Sequence, residues 1–284
     1  MKHFLVYDVF TDQAFGGNPL AVIPDARGLA ENQLQQIARE FNFSESTFVY
    51  PPEDPAHTAK VRIFTPTLEL PFAGHPTVGT ALALHDLRRG GKDMVLELGV
   101  GPIPVTVREG KARFETRVPL TLEDAPALED VAACISQPAS AIRTDRHAPV
   151  LAGVGLPFIL AEIGPEVAFE AAVGDASAFR AVAGEDADRL GVMIYMRDGQ
   201  KIRARMFAPM GGIPEDPATG SACAALAAYL GHLDGVSQRF DIVQGVEMGR
   251  PSEITAEVVV ENGKPQMVAI SGRAVKTMEG QLTL

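Results

Sequence analysis

Apolar residues recur at helical spacing in one stretch near the start of the chain. Leu34, Ile37, Ala38 and Phe41 are separated by steps of three, one and three residues, which places them on one face of a helix. The positions between them are mostly polar. The pattern therefore predicts an amphipathic helix over residues 30–41, with its apolar face against a core.

Three further segments are predicted to be helices. Residues 77–87 and 221–230 are apolar around most of their circumference and rich in small side chains, which is typical of helices buried inside a domain. Residues 176–183 are predicted to form a shorter helix.

Short apolar runs between these helices predict strands. Residues 99–104 are predicted to be a connection, and residues 120–127, rich in Pro, Asp and Glu, a linker. Strands and helices mix without strict alternation, which argues against a doubly wound parallel sheet and predicts an α+β fold of two halves, each a curved sheet wrapped around a central helix. The predicted strands are 4–10, 20–23, 47–50, 60–64, 95–98, 105–108, 113–116, 148–151, 158–162, 192–195, 202–207, 254–260, 268–271 and 274–277.

One motif occurs twice. Residues 62–66 (Arg-Ile-Phe-Thr-Pro) precede residues 73–77 (Ala-Gly-His-Pro-Thr), and residues 205–209 (Arg-Met-Phe-Ala-Pro) precede residues 216–221 (Asp-Pro-Ala-Thr-Gly-Ser). Each copy is predicted to be a strand, a loop, a glycine and the start of an apolar helix. The repeat predicts two similar halves, with an active site in the cleft between them. Two helix N-termini would frame that site, a geometry that binds anions.

Length and composition narrow the class of protein. A chain of 284 residues suggests about two domains, predicted as 1–118 and 119–284. The net charge of −11 argues against a nucleic-acid partner. Two cysteines do not make a disulfide framework. The first residues lack the form of a signal peptide, and no stretch approaches the roughly 20 apolar residues that span a bilayer. We therefore expect a cytoplasmic protein with no membrane partner.

Glu45 is the first candidate for chemistry. It lies in Asn-Phe-Ser-Glu-Ser-Thr, between the end of a predicted helix and the start of a strand, where loops commonly present side chains to clefts. A partly shielded carboxyl there can act as a general acid and base. The alternative is a solvated glutamate in a polar turn.

The two glycine-containing helix starts supply the other candidates. Gly74 allows a ligand to approach the backbone, and His75 can donate a hydrogen bond or transfer a proton. Asp216, Thr219 and Ser221 offer a carboxyl and two hydroxyl groups in the second copy. Ordinary helix capping is the alternative for both copies, since these residue types favour helix starts for structural reasons.

Several mechanisms are not supported by the sequence. No Gly-x-Ser-x-Gly motif surrounds Ser221, which argues against a serine hydrolase. The histidines and cysteines lack metal-ligand spacing, so no metal site is predicted. Residues 153–157 lack the third glycine of a dinucleotide-binding loop. We therefore expect chemistry by the chain's own groups, without a cofactor.

At these motifs the chain resembles the phenazine-biosynthesis PhzF family. The resemblance rests on Gly16–Ala21, Ile37–Val49, Arg62–Ala83 and Phe207–Ala222 and runs nearly from end to end. It implies the fold of diaminopimelate epimerase, a homodimer, and a last strand, residues 275–284, that packs with the first half. The related epimerases and racemases carry a cysteine before each of the two glycines, where this chain has Ala73 and Thr219.

The resemblance also implies a role for each candidate. Without the two thiols, inversion by the two-thiol mechanism is excluded, and the remaining proton-transferring residue is Glu45. One carboxyl can move a proton between two carbons on the same face of a substrate. The implied catalytic residues are Glu45, His75 and Asp216, and the implied substrate-binding residues are Asn18, Gly74, Thr219, Gly220 and Ser221.

The leading hypothesis is thus a cofactor-independent isomerase of the PhzF type, acting on a small carboxylate. The resemblance implies trans-2,3-dihydro-3-hydroxyanthranilate or a similar compound as the substrate. One alternative is an epimerase or racemase with a base pair that lacks thiols, either Glu45 with Asp216 or Glu45 with His75. The other alternative is a metabolite-binding protein without turnover.

Overall fold

A computed structural model describes residues 1–183 and 190–284, which form two compact units. The first unit consists of Met1–Glu115, Arg250–Glu253 and Ile270–Leu284. The second consists of residues 116–249 and 254–269 within the described ranges. The chain therefore leaves the first unit after Glu115, returns to it briefly at Arg250–Glu253, and returns again for its last residues, Ile270–Leu284.

The first unit is a sheet with two helices. Its elements are β1 (Lys2–Val9), β2 (Asn18–Ile23), α1 (Glu31–Phe41), β3 (Glu45–Tyr50), β4 (Ala59–Phe64), β5 (Glu69–Leu70), α2 (Gly74–Asp86), β6 (Asp93–Leu98), β7 (Gly101–Arg108) and β8 (Lys111–Thr116).

The rest of the chain supplies nine strands and four α-helices in the described residues. They are β9 (Thr121–Asp124), α3 (Leu128–Cys134), β10 (Val150–Gly153), β11 (Pro157–Glu162), α4 (Glu166–Glu170), α5 (Ala176–Ala183), β12 (Val192–Asp198), β13 (Lys201–Ala208), β14 (Ile213–Asp216), α6 (Gly220–Asp234), β15 (Gln238–Gln244), β16 (Ser252–Glu261) and β17 (Lys264–Leu282). Two short 3₁₀ turns, Ala139–Ala141 and Pro209–Gly211, connect some of them.

The repeat predicted from the sequence is present in both units as the same strand pairing. In the first unit β3 pairs antiparallel with β4, and β4 pairs parallel with β6 across the helix α2. In the second unit β12 pairs antiparallel with β13, and β13 pairs parallel with β15 across the helix α6. A short antiparallel strand, β5 or β14, follows each central strand and leads toward the helix start.

The two long apolar helices are buried as predicted. Every residue of α2 from Gly74 to Leu84 is buried, and α2 packs against β1, β2, β3, β6 and β7. In α6 the residues from Ala222 to Gly231 are buried, and this helix packs against β10, β11 and β15. Because such helices have no polar face, each becomes stable only when strands surround it.

The amphipathic helix is also confirmed. α1 buries Leu34, Ile37 and Ala38 against Phe48 and Phe64, while its polar residues face outward. The helix ends where Asn42 adopts a left-handed conformation with φ of 53°, which turns the chain toward β3.

Three predictions about connections are wrong. The expected linker at 120–127 contains β9, which pairs with β10, and the expected connection at 99–104 contains the start of β7. The strands expected at 268–271 and 274–277 are one long strand, β17, which pairs with β1 from Ala274 to Leu282. At Gly272 inside β17, an added Cβ would lie 2.2 Å from the ring of Phe10, so the glycine marks a close contact and not a break.

Candidate functional site

Glu45 is a buried residue at the first position of β3. Its side chain is 12% exposed, so the alternative interpretation as a solvated turn glutamate is wrong. β3 pairs parallel with β2, and Glu45 lies opposite Leu20 in that pairing. Glu45 therefore begins β3 beside β2, and the pairing of the two strands fixes the main chain from which its carboxyl group extends.

His75 lies in the first turn of α2 and contacts Glu45. Its Nδ1 is 3.1 Å from Oε2 of Glu45, and its side chain is 3% exposed. Its Nε2 is buried and makes no well-aligned hydrogen bond within the described ranges. Burial lowers the pKa of His75 to about 3, and the nearby carbonyl of Pro19 opposes this only in part. The imidazole is therefore neutral near pH 7.

The backbone at the start of α2 is suited to an anion. Ala73, the N-cap residue, is extended and has no side chain that can cap the helix. Thr77 donates its hydroxyl to the carbonyl of Ala73 at 2.7 Å, which ties the first turn together. Gly74 and His75 are the first two helical residues, so their N–H groups are among those that the helix itself does not satisfy. The positive end of the helix dipole lies beside Glu45 and His75.

Asn18 is fully buried at the start of β2, and a group of polar contacts that the sequence analysis missed holds the preceding loop. Arg250 donates to Asp8 Oδ1 at 2.7 Å and to the carbonyls of Gly16 and Gly17 at 2.8 Å. Gly17 has φ of +59°, and an added Cβ would lie 2.3 Å from a carbonyl oxygen of β1. These contacts fix the turn that delivers Asn18 to the strand.

In the second unit, Asp216 and Thr219 form a hydrogen-bonded pair. Both are buried, and Thr219 Oγ1 donates to Asp216 Oδ2 at 2.6 Å. Thr219 is the N-cap residue of α6, yet its side chain makes no capping hydrogen bond. The hydroxyl that would normally cap the helix is thus committed to Asp216. The alternative interpretation of Thr219 as an ordinary helix cap is therefore wrong.

Gly220 and Ser221 are the first two residues of α6, at the places that Gly74 and His75 occupy in α2. Gly220 is buried and Ser221 is partly exposed. A hydroxyl at this position and a backbone N–H beside it are suited to bind a carboxylate.

The family model of the phenazine biosynthesis-like proteins, PhzC-PhzF, matches residues 7–280. The chain belongs to the PhzF family. Two curated relatives support this membership. An uncharacterized isomerase of Mesorhizobium japonicum is 38% identical over 99% of this chain and 98% of its own length. The trans-2,3-dihydro-3-hydroxyanthranilate isomerase of Pseudomonas aeruginosa is 35% identical over all of both chains. The chain is an enzyme of the isomerase class.

Solved structures confirm the predicted fold class. A PhzF-family protein of Bacillus anthracis matches this chain with a TM-score of 0.88 at 24% identity, covering 100% of this chain and 99% of that one. A probable proline racemase of Agrobacterium radiobacter matches with a TM-score of 0.62 at 17% identity, covering 100% of this chain and 93% of that one. A probable proline racemase therefore shares the fold of this chain, in agreement with the epimerase-like fold that the resemblance implied.

The repeat carries a second feature that the sequence analysis did not interpret. In the first unit the guanidinium of Arg62 forms two hydrogen bonds, at 2.7 and 2.6 Å, to the carboxylate of Glu69. In the second, that of Arg205 forms two, both 2.8 Å, to Glu215. Each guanidinium also lies about 5 Å from the ring of the phenylalanine two residues later. Each pair thus joins a central strand to the short strand that leads to a helix start, and Glu215 directly precedes Asp216.

The structure therefore brings the predicted residues together in two sets. Glu45, His75, Gly74 and the strand start at Asn18 belong to the first unit, and Asp216, Thr219, Gly220 and Ser221 belong to the second. That both sets serve one substrate stays a prediction. Among the described residues, no three His, Cys, Asp or Glu side chains lie together as metal ligands, and no helix is long and apolar enough to cross a membrane.

Proposed function

We propose that this PhzF-family chain isomerises a small carboxylate by moving a proton between two carbons through Glu45. The observation that supports this is the contact between the buried Glu45 carboxyl and the neutral imidazole of His75 at a helix N-terminus. A carboxylate in that position can take a proton from a substrate carbon and return it to another carbon on the same face. A positioned acid and base of this kind contributes about 10²–10⁴-fold in rate.

The proposed substrate is trans-2,3-dihydro-3-hydroxyanthranilate or a related small carboxylate. The support is the named activity of the Pseudomonas aeruginosa relative, which aligns with this chain over its full length. A shared scaffold does not by itself determine the substrate.

The remaining residues are proposed to hold the substrate. Its carboxylate would accept hydrogen bonds from the backbone at Gly74 and Gly220 and from the hydroxyl of Ser221. The side chains of Asn18, His75 and Asp216 would contact its other polar groups, and Thr219 would take part through its hydrogen bond to Asp216. Negative charge that develops as the proton leaves would be stabilised by the helix ends, worth a few kcal/mol for each well-placed donor.

Epimerisation through Glu45 and His75 is disfavoured by their geometry. Two bases that invert a stereocentre must face opposite sides of one carbon. Glu45 and His75 are 3.1 Å apart and leave no room for a carbon between them. Ala73 has no ionisable group, and the hydroxyl of Thr219 is donated to Asp216. Glu45 with Asp216 stays the alternative pair, and the stereochemistry of the product tests it.

The test is to incubate the protein with trans-2,3-dihydro-3-hydroxyanthranilate in D₂O and follow the reaction by NMR. Glu45→Gln keeps the size of the side chain but removes the proton-carrying group, so we expect turnover to fall by at least about 10²-fold. Glu40→Gln, at an exposed position of α1, is the matched control and should keep full activity. Circular dichroism must show that both variants fold.

Each outcome discriminates between the hypotheses. Isomerisation that Glu45→Gln abolishes supports the proposal, and full activity in that variant refutes the role of Glu45. Scrambled configuration at a stereocentre supports the epimerase alternative. A substrate that binds without any isotope exchange supports a binding protein without turnover.

A further inference from the structure

Gln244, the last residue of β15, is fully buried beside the pair of Asp216 and Thr219. Its Nε2 donates to the main-chain carbonyl of Asp216 at 2.7 Å. Its Oε1 accepts the main-chain N–H of Thr219 at 3.1 Å. A carbonyl can only accept and an N–H can only donate, so these two contacts fix which end of the amide is nitrogen and which is oxygen.

The fixed amide in turn determines the direction of the Thr219 hydroxyl. Gln244 Nε2 also donates to Thr219 Oγ1 at 3.1 Å, which occupies a lone pair of that oxygen. The single hydroxyl hydrogen of Thr219 is then directed to Asp216 Oδ2, 2.6 Å away. The three residues form an ordered chain of hydrogen bonds that ends on the carboxylate of Asp216.

Gln244 also supplies one of the two hydrogen bonds of a capping box at the start of α6. In a capping box, a side chain three residues into the helix accepts the N–H of the N-cap residue. Here Gln244, from a neighbouring strand, accepts that N–H, and Thr219 remains free of any capping role. The same side chain therefore positions both the helix start and the carboxylate.

We propose that Gln244 is a positioning residue that, through the hydroxyl of Thr219, keeps Asp216 as an oriented hydrogen-bond acceptor for the substrate. This inference rests on the proposed function of Asp216. It assigns to Gln244 an effect on turnover that acts through one hydroxyl group and not through general packing.

The decisive variant is Gln244→Glu, which has nearly the same size and keeps an oxygen that can accept the Thr219 N–H. It removes the amide donor, and the introduced carboxylate competes with Asp216 for the hydroxyl hydrogen of Thr219. Because a hydrogen bond to a charged group is lost, we expect kcat to fall about tenfold or more with a smaller change in KM. Gln266→Glu, an exposed glutamine of the same unit, is the matched control and should be unchanged.

Variants of Thr219 separate positioning from packing. Thr219→Ser keeps the hydroxyl and should retain most activity, whereas Thr219→Val should lose about as much kcat as Gln244→Glu. Combining Thr219→Val with Gln244→Glu should cause no further loss of kcat, because both act on the same hydrogen bond. Losses that multiply in the double variant would overturn the proposal.

A second readout needs no substrate. The ¹³C signal of the Asp216 carboxyl is assigned by its loss in Asp216→Asn. It is then followed by NMR as a function of pH in the unaltered chain, in Gln244→Glu and in Thr219→Val. Loss of the donated hydrogen bond should raise the titration midpoint by about one pH unit in both variants. An unchanged midpoint in both would overturn the proposal even if the chain does not turn over the tested substrate. A raised midpoint without turnover of trans-2,3-dihydro-3-hydroxyanthranilate would support the network while refuting that compound as the substrate.

Discussion

The neutral state of His75 makes the stability of this protein sensitive to mild acid. The imidazole has an ordinary pKa of 6.5, which burial lowers to about 3 in the folded chain. Above pH 6.5 it is neutral in both the folded and the unfolded chain, so it contributes nothing to the pH dependence. Below pH 6.5 the unfolded chain binds a proton that the folded chain does not bind. The free energy of unfolding therefore falls as the pH falls, until the pH approaches 3.

The size of the effect follows from the shift. Each pH unit below 6.5 costs about 1.4 kcal/mol for one such group. At pH 5, one and a half units below the ordinary pKa, the cost attributable to His75 is about 2 kcal/mol. This is a large fraction of the net stability of a typical domain, about 5–15 kcal/mol.

The assay compares urea unfolding at pH 7 and pH 5 for the unaltered chain and for His75→Asn. We expect the unaltered chain to lose about 2 kcal/mol more than His75→Asn between the two pH values. His232→Asn, at an exposed position, should lose as much as the unaltered chain. Titration of the His75 ring by ¹⁵N NMR, assigned with the same variant, reports its pKa directly.

One result would refute this reasoning. If the carboxylate of Glu45, 3.1 Å away, stabilised the protonated ring more than burial disfavours it, the pKa of His75 would lie above 6.5. Acidification from pH 7 to pH 5 would then stabilise the unaltered chain relative to His75→Asn. The pair would be an ion pair in the resting protein, and a neutral imidazole could not be part of the proposed proton transfer.

Two further pairs of substitutions test contacts that support the candidate site residues. Arg205→Met should cost about 3 kcal/mol and Arg62→Met about 1 kcal/mol or less in urea unfolding, because the side chain of Arg205 is 5% exposed and that of Arg62 is 22% exposed. Equal losses would contradict the importance of burial. Gly17→Ala should destabilise the chain more than Gly28→Ala, since both have positive φ but only at Gly17 would the added Cβ collide with the main chain. Thermal unfolding measures the difference, and an equal shift in both would contradict the close contact.

The helices α1, α2, α5 and α6 were predictable because their hydrophobic patterns are strong, although their exact ends were less certain. The short helices α3 and α4 were not predicted. The start of α2 was expected at residue 77 but lies at Gly74. The sequence His-Pro resembles a loop, yet proline is well tolerated in the first turn because its missing N–H has no partner there. The motif had already marked Gly74 and His75 as a helix start, so the apolar pattern alone placed the first turn three residues too late.

The two wrong connections have different physical causes. All four residues of β9 are exposed, so the strand has no buried face and no alternation of apolar and polar residues that could reveal it. β7 contains Pro102 and Pro104, which usually argue against a strand because proline cannot donate to the ladder. β9 forms because it pairs with β10, which lies further along the chain, and the local pattern does not record that partner. β7 instead forms antiparallel pairs with its direct neighbours β6 and β8, and these tolerate the two prolines.

The catalytic candidates were found by motif, whereas Gln244 was missed although the sequence contains a signal for it. In β15 the residues Phe240 and Ile242 are buried and alternate with more exposed positions, so the next inward position of the strand is Gln244. A glutamine at a position where the period of two requires an apolar side chain must be paired, because burial without hydrogen bonds costs free energy. The pattern can therefore identify a buried polar group, but it cannot name the partners. Those partners, Asp216 and Thr219, lie in another part of the chain, and only the parallel pairing of β13 with β15 brings β15 beside the strand that precedes them.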